Sequence, residues 1–333
     1  MKVTLQDIAD ATGVSVKTVS GALHGKGGSM AAKTRERIHS VARDLGYVPN
    51  LAARAMRQGF LPIIGIVSDG LLTSPYATDI MRSFDTTVRA GSMSVIANNI
   101  GGDRDIDTAV SELERFIPRA IAYAAMYHKV VDMPERARGI VRLMIDCRDA
   151  KGVIPSVVPA EHAAAATLVT HLLARGRRRL GFLNLPGLLA GELRAEGFRA
   201  AHAAAGIPLR EDWIRPATKQ SYSDRAHSLA AAHLEELMSG PIRPDAIICG
   251  NDRVAFEAYN ALRRLGLTIP DDIAVASFDN QVDIASRLDP PLTTMALPHR
   301  AMGRIAAEIL LGNRQPQGLV EEIPFHLVER ASC

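Results

Sequence analysis

The stretch from Thr4 to Leu23 constrains the fold of this 333-residue chain more than any other. Thr4 can cap a helix through its hydroxyl, and Asp7, three positions later, can reach back to the cap. Gly13 follows where the chain must turn without a Cβ penalty, and Ser15 is a good cap for a second helix. Apolar residues recur at helical spacing on one face of each segment. The stretch therefore predicts a helix-turn-helix.

The outward face of the second helix carries the residues that can touch DNA. In a helix-turn-helix, the first turns of this helix enter the major groove, where side chains meet base edges and nearby phosphates. The candidates for DNA contact in this stretch are Thr4, Ser15, Val16, Lys17, Thr18, Ser20 and Gly21. Two ordinary amphipathic helices of a bundle are the alternative interpretation.

A third helix and a short hinge segment follow this motif. Apolar residues between Arg35 and Leu45 outline the third helix, which Gly46 can terminate. Asn50 can then cap a short helix over residues 51–58, which would be marginal in water by itself. We expect this segment to fold only when it packs against a partner helix or DNA.

The charge of the chain is uneven. Residues 1–60 carry nine Lys or Arg and four Asp or Glu, a net charge of +5, whereas the remainder carries −2. A basic head on a mildly acidic body is typical of a DNA-binding module joined to a module that binds a small molecule or a protein. Chance clustering is the alternative if charge is considered alone.

From Ile63 onward, apolar runs of strand length alternate with helical patterns. The predicted strands are 63–67, 95–98, 120–125, 142–145, 180–185, 246–249 and 273–278. Such alternation predicts parallel sheets covered by helices on both faces, with ligands at the carboxyl ends of the strands. The number of units predicts two lobes, so the expected fold class is a doubly wound α/β domain behind a three-helix head.

Composition and motifs argue against several other classes of protein. No apolar run approaches the length of a membrane span and no export signal precedes the first helix, so we expect a cytoplasmic protein. Cys147, Cys249 and Cys333 have no paired spacing, which predicts neither a disulfide framework nor a metal site. Phosphate-loop, dinucleotide and nucleophile-elbow patterns are missing from the sequence, so no cofactor and no catalytic residue is predicted.

The N-terminal motif resembles the signature of the lac repressor family of transcription regulators. The matching residues are 5–9, 13–15, 18–20, 33–35, 46–50, 53–54 and 56. The effector-binding portion of that family, which has the fold of periplasmic sugar-binding proteins, is similar to segments 64–69, 175–182, 194–198, 245–252, 269–273, 278–280 and 290–294. The resemblance implies a helix-turn-helix DNA-binding domain over 1–46, a hinge over 47–60, and a two-lobed effector-binding and dimerisation domain over 61–333.

The resemblance also implies a role for the hinge. In the family this helix pairs with its twin in a dimer, lies in the minor groove and inserts a leucine between base steps. Met56 occupies the matching position, and an apolar, flexible methionine can still act as a wedge. Interhelical packing is its alternative role. The resemblance places Asn50, Ala53 and Arg54 against the minor groove or the backbone, and Arg57 is a candidate for a phosphate contact.

One position departs from the family pattern. Gly21 stands where the family commonly has an arginine, so a bidentate contact to guanine is missing. Base recognition is then expected to fall on Val16 and Lys17, with the neighbouring hydroxyl residues nearer the phosphates.

Polar residues that close the strand runs predict an effector site. By the resemblance, the strongest candidates are Asp146, Arg194, Asn251 and Asp279. Carboxylates accept hydrogen bonds from sugar hydroxyls, and a guanidinium supplies a rigid fork of donors. Asp252 is instead expected to cap the helix that begins at Arg253.

Aromatic side chains add to the predicted pocket. Ser74, Tyr76 and Tyr222 occupy loops where the family places the walls that contact sugars, and Tyr127 with His128 follows the strand over 120–125. A tyrosine near a strand end is also often a lid on the core, and His128 has no partner that suggests catalysis or metal binding. Of these last two, only Tyr127 is kept as an effector candidate.

These features predict a sequence-specific transcription regulator, a repressor, that binds double-stranded operator DNA as a homodimer, with a tetramer as the alternative assembly. The expected effector is a sugar or sugar derivative in the interlobe cleft, with a purine or phosphosugar as the alternative. A competing interpretation is an α/β enzyme that acts on a sugar or nucleotide and uses the N-terminal helices as a cap. A binding protein without DNA function is a third.

Overall fold

The N-terminal part of the chain folds around a small core of its own. The computed structural model describes residues 3–23, 30–48, 59–70, 78–101, 104–223 and 226–333, and the chain divides into two compact units, Met1–Leu61 and Pro62–Cys333. The first unit contains helices α1 (Leu5–Thr12), α2 (Val16–Leu23) and α3 (Ala32–Asp44). The buried members of its core are Ile8, Ala9, Val19, Ala22, Ile38 and Ala42.

Local hydrogen bonds set the ends of the first two helices. The hydroxyl of Thr4 accepts the N–H of Asp7 at 3.3 Å, and the Asp7 carboxylate accepts the N–H of Thr4 at 2.7 Å. Gly13 ends α1 with a φ of 66°, in the left-handed region that favours glycine. The Ser15 hydroxyl accepts the N–H of Thr18 at 3.1 Å at the start of α2. The predicted helix-turn-helix is confirmed.

The remainder of the described chain consists of strands that alternate with helices. The strands are β1 (Leu61–Ser68), β2 (Ser94–Asn99), β3 (Pro118–Val131), β4 (Val141–Asp149), β5 (Ser156–Pro159), β6 (Leu180–Asn184), β7 (Ile214–Pro216), β8 (Ala246–Cys249), β9 (Ala274–Asp279), β10 (Thr293–Ala296), β11 (Val320–Ile323) and β12 (His326–Val328). The helices are α4 (Thr78–Ala90), α5 (Ile106–Glu114), α6 (Glu135–Ile140), α7 (Glu161–Ala174), α8 (Leu189–Ala205), α9 (Ala230–Ser239), α10 (Asp252–Arg264), α11 (Val282–Ala285) and α12 (His299–Leu311).

The strands form two six-stranded sheets, each the centre of one lobe. Lobe 1 has the order β11-β5-β4-β3-β1-β2, and lobe 2 has the order β12-β10-β9-β8-β6-β7. Neighbours such as β3 with β4 and β8 with β9 are parallel, whereas β12 runs antiparallel to β10. The chain passes from one sheet to the other after β5, after β10 and after β11.

Each sheet is buried on both faces. On β4, Leu143 and Ile145 belong to one apolar cluster, whereas Met144 between them belongs to another. On β8, Ile247 and Ile248 are divided between two clusters in the same way. Parallel sheets require this double cover because their crossover helices lie on the faces. The predicted α/β class with two lobes is confirmed.

The predicted strands all overlap observed ones, namely β1, β2, β3, β4, β6, β8 and β9. The sequence did not predict β5, β7, β10, β11 and β12, which contain only three or four residues and so show little periodicity. The predicted hinge helix over 51–58 lies outside the described residues. Within the described ranges, no helix is long and apolar enough to cross a membrane.

Candidate functional site

The first candidate site is the exposed side of α2. Ser15, Val16 and Lys17 are exposed to solvent. Val16 is 36% exposed although its side chain is aliphatic. The hydroxyls of Ser15 and Thr18 lie 2.8 Å apart in a mutual hydrogen bond, so these two side chains organise the start of α2. Thr18, Ser20 and Gly21 are half-buried. Val16 and Lys17 therefore project most freely from the first turn.

The remaining predicted DNA contacts divide between a cap and the hinge. Thr4 is exposed, and its hydroxyl also donates to the Asp7 carboxylate at 2.8 Å. A guanidinium–carbonyl hydrogen bond from Arg37 to Thr12 joins α3 to the end of α1, which fixes the helices that present α2. The hinge candidates Asn50, Ala53, Arg54, Met56 and Arg57 lie outside the described residues, and so do the effector candidates Ser74 and Tyr76.

The second candidate site is a cleft lined by residues of both lobes. The pairing of β3 with β4 is broken between Ala124 and Lys129, where residues of β3 lie opposite Asp146 alone. Tyr127 and Asp146 adopt positive φ angles of 69° and 57° at this irregularity. The break places Tyr127, His128 and Asp146 in the cleft lining. Such local departures from regular backbone are common at binding sites.

The cleft brings together five of the predicted effector residues from distant parts of the sequence. They are Tyr127, Asp146, Arg194, Asn251 and Asp279. Met126, Leu185, Leu188, Ala190 and Leu297 supply an apolar wall, and His128, Glu161 and His299 complete the lining. An apolar wall with a few polar groups is typical of a site for a small molecule. The described residues contain no group of three or more His, Cys, Asp or Glu arranged to hold a metal ion.

Arg194 is held from several directions. Its Nε donates to Glu161 Oε2 at 2.6 Å, and its Nη1 donates to the carbonyl oxygen of Gly250. Its Nη2 lies 3.9 Å from Asp279 Oδ1, and the guanidinium carbon lies 4.3 Å from the centre of the Phe278 ring. The residue is 2% exposed. The guanidinium is therefore fixed in position before any ligand arrives.

Glu161 is the main partner of this guanidinium, and sequence reasoning missed it. Burial, the largest single influence, would raise the pKa of Glu161, but Arg194 and His128 together outweigh it and lower the pKa below its ordinary value. His128 Nδ1 lies 3.7 Å from Glu161 Oε1, and both ring nitrogens are buried with no hydrogen-bond partner among the described residues. Glu161 follows β5, a strand that the sequence pattern did not reveal, so its position at a strand end was hidden.

Asp146 has the opposite electrostatic environment. Burial, followed by the negative charge of Glu161, raises the pKa of Asp146 well above its usual range, although Arg194 opposes this effect. The residue is 6% exposed, and within the described ranges its carboxyl group receives no hydrogen bond from the protein. A buried carboxyl group with no protein donor is available to exchange hydrogen bonds with the hydroxyl groups of a ligand.

A hydrogen bond between Asn251 and Tyr222 stabilises one wall of the cleft. Asn251 Oδ1 accepts the N–H of Val254 at 3.0 Å as the cap of α10, and its Nδ2 donates to the Tyr222 hydroxyl at 2.7 Å. The ring of Tyr222 is buried and meets Tyr127 edge to face, with 5.7 Å between the ring centres. Tyr222 is therefore behind the described lining rather than in it, because its hydroxyl and ring are used to hold Asn251 and Tyr127.

The expected role of Asp252 as a helix cap is wrong. Asn251 is the cap, α10 begins at Asp252, and the Asp252 carboxylate points into the lobe. It accepts hydrogen bonds from the hydroxyls of Ser277 and Thr294 and from the N–H of Gln281. Burial, followed by the charge of Asp279, raises the pKa of Asp252 to about 7. This network anchors the turn that follows β9, directly after Asp279 at the end of that strand.

His299 predicts a dependence of stability on pH. Burial lowers its pKa from 6.5 to about 4, although Asp79 and Glu161 attract its proton. At a pH between these two pKa values, His299 binds a proton in the unfolded chain but not in the folded chain. The free energy of unfolding therefore falls as pH falls through this range. We expect His299 to reduce this free energy by about 2 kcal/mol between pH 7 and pH 5.

Urea unfolding of the full chain at both pH values measures this effect. The variant His299→Gln should lose that part of the pH dependence, whereas His162→Gln, at an exposed position on α7, should retain it. An equal pH dependence in wild type and His299→Gln would contradict the assignment.

Two family models match this chain. A model described as bacterial regulatory proteins, lacI family, matches residues 4–50, which contain the helix-turn-helix. A model described as periplasmic binding protein-like domain matches residues 169–333, which contain most of lobe 2.

Whole-chain comparisons agree with these matches. The sucrose operon repressor of Escherichia coli is 35% identical over 333 residues, covering 99% of this chain and 99% of that protein. A putative transcriptional regulator of the LacI family from Rhizobium etli has a TM-score of 0.72 at 30% identity, covering 82% of this chain and 99% of that chain. The lac repressor dimer bound to operator and the anti-inducer ONPF has a TM-score of 0.73 at 25% identity. That match covers 100% of this chain and 99% of the lac repressor chain.

Proposed function

Because this chain belongs to the lacI family of bacterial regulatory proteins, we propose that it represses transcription and that a sugar in the cleft controls its affinity for operator DNA. The chain is a sequence-specific DNA-binding regulator, and the competing enzyme interpretation falls with the family assignment, since the relatives are repressors. The observation that carries the effector proposal is the buried Asp146 carboxyl group, which receives no hydrogen bond from the described protein and faces the cleft.

The chemistry of the cleft favours a hydroxyl-rich ligand. Asp146 of lobe 1 and Asp279 of lobe 2 both line the cleft, and the carboxyl oxygens of each can accept hydrogen bonds from ligand hydroxyls. The apolar wall that includes Leu185 and Leu188 can cover the less polar faces of a sugar ring. One whole-length relative is named for the sucrose operon, which agrees with this ligand class. The predicted contacts from Ser74 and Tyr76 belong to the same proposal.

The DNA side of the proposal relies on α2 and the hinge. Val16 and Lys17 supply the exposed first turn for base contacts, and Met56 in the hinge supplies an apolar wedge for the minor groove. A homodimer would place two heads on half-sites about one helical turn apart. Effector binding would shift the lobes toward the arrangement with altered affinity for operator. Binding to operator DNA of a bacterial chromosome would place the protein in the cytoplasm.

Selection and titration test this proposal. The purified chain should select a two-fold symmetric duplex from a random library, with half-sites about one turn apart. In fluorescence anisotropy, glucose, fructose or sucrose should then change the Kd for that duplex by about tenfold or more, a typical allosteric coupling. The variant Asp146→Asn should respond less to the sugar, and Asp132→Asn, at an exposed position, should respond as the wild type does. The absence of a selected sequence would contradict the operator, and an unchanged Kd with every sugar would contradict the effector.

A further inference from the structure

We propose that Glu161 makes the cleft select uncharged ligands over anionic ones, because it neutralises the guanidinium that an anion would otherwise bind. This inference rests on the proposed function, since it concerns the ligand of the same cleft. It distinguishes a neutral sugar from a sugar acid or a phosphosugar, all of which share the hydroxyl chemistry of the site.

The packing of two helices brings Glu161 to Arg194. Glu161 is the first residue of α7, and Arg194 lies in α8. A Cβ atom on Gly197 would lie 2.2 Å from the carbonyl oxygen of His162, so the two backbones approach more closely there than any side chain would allow. Because His162 follows Glu161 directly and Gly197 lies one turn beyond Arg194, the carboxylate meets the guanidinium at 2.6 Å.

The charges in the cleft do not favour an anion. Among the described residues of the lining, Arg194 is the only Lys or Arg, and it shares the space with three carboxyl groups, those of Asp146, Glu161 and Asp279. Oxygen atoms of Glu161 and Asp279 lie 2.6 Å from Nε and 3.9 Å from Nη2 of this guanidinium. The three carboxyl groups of the lining outnumber its single guanidinium.

The free energy of binding in this cleft should therefore differ between a neutral and an anionic ligand. A neutral sugar donates hydroxyl protons to the carboxyl oxygens and leaves the ion pair intact. A phosphate or carboxylate group gives up its water and enters beside buried carboxylates, where like charges repel. Arginine commonly binds such groups through its planar fork, but here Glu161 and Gly250 already occupy two of its nitrogens.

Matched ligand pairs test the inference by isothermal titration calorimetry on the full chain. The probes are glucose with glucose 6-phosphate and gluconate, fructose with fructose 6-phosphate, and sucrose with sucrose 6-phosphate. In the wild type, the neutral member of the pair that binds should have a Kd at least about 100-fold lower than its anionic partner. In Glu161→Gln, which keeps a hydrogen-bond acceptor for Arg194, the affinity ratio of anion to neutral sugar should rise about 30-fold.

Two further variants separate charge in the cleft from other effects. Glu192→Gln makes the same change at an exposed position on α8 and should keep the wild-type ratio. Glu161→Gln combined with Arg194→Gln removes both charges and should abolish the gain for anions. The fluorescence of Trp213, the single tryptophan and a buried residue of lobe 2, reports whether each variant is folded.

The outcomes distinguish the inference from the proposed function. If the wild type binds an anionic member as tightly as its neutral partner, the inference is overturned while a sugar effector stands. A folded Glu161→Gln variant with the wild-type ratio overturns it as well. If no member of the panel binds the wild type, the proposed sugar effector fails and the inference fails with it. The wild-type ratio decides the matter even if a variant does not fold.

Discussion

Replacing Ile8 by alanine should weaken operator binding strongly while the second unit stays folded. Ile8 is fully buried, and the core of the first unit has six buried residues among those that the structure describes, so truncating Ile8 removes a large share of this apolar packing. A buried isoleucine replaced by alanine costs about 2 to 5 kcal/mol, comparable with the total stability of a domain this small. The helix-turn-helix should then be largely unfolded at equilibrium.

Anisotropy with the selected operator duplex measures this effect. We expect the Kd to rise by about tenfold or more, since the part of the destabilisation that exceeds the stability of the unit becomes a folding cost of binding. The control is Leu45→Ala, an aliphatic truncation at a residue of the same unit that is 41% exposed, which should change the Kd far less. Sugar binding by the second unit should survive in both variants. An Ile8→Ala variant that binds operator within threefold of wild type would show that this core does not hold α2.

Replacing Arg194 by methionine should destabilise the second unit by about 3 to 5 kcal/mol at neutral pH, because it leaves the buried carboxylate of Glu161 without its cation. In the wild type, Arg194 lowers the pKa of Glu161, so the stability from this pair is present above the unfolded pKa of 4.5 and is lost as pH falls below it. In the variant, the guanidinium that lowers the pKa of Glu161 most strongly is gone, so burial raises this pKa above its wild-type position. The difference in stability between variant and wild type should then shrink as pH falls from 7 to 5.

Urea unfolding followed by Trp213 fluorescence measures this difference at each pH, and the effect of His299 cancels because both proteins contain it. Arg199→Met is a matched control on the same helix. Its side chain is 44% exposed and pairs with Glu211 at the surface, so its loss should cost less than about 1 kcal/mol. A destabilisation by Arg194→Met no larger than that of this control would mean that the ion pair does not hold α7 against α8.

Local features of the fold could be predicted because their physics is local. The cap at Thr4, the turn at Gly13 and the cap at Ser15 each depend on residues within three or four positions along the chain. The longer strands were predicted from apolar runs because burial on both faces of a parallel sheet imposes such a run. Five of the strands with three or four residues were missed. One of them is β5, so the position of Glu161 at the start of α7 was missed as well.

The cleft shows where sequence reasoning stops. Asp146, Arg194, Asn251 and Asp279 were predicted as effector residues, and the structure places all four in one lining. Their roles differ in ways that only contacts reveal, since Asn251 caps α10 and holds Tyr222, whereas Asp146 faces the cleft with no protein donor in the described ranges. That assignment of individual contacts to an effector stays a prediction until a ligand is bound.

The sequence by itself determined the fold class and the family of this protein. The helix-turn-helix, the alternating strands and the polar residues at strand ends each appear as a pattern within a short segment of the chain. Only the tertiary structure decided the charge of the cleft. The partner of Arg194 lies 33 positions away, at the end of a strand that the pattern did not show, and it reaches the guanidinium only because Gly197 lets two helices touch. A pair of buried charges is set by such distant packing, and no local pattern of residues encodes it.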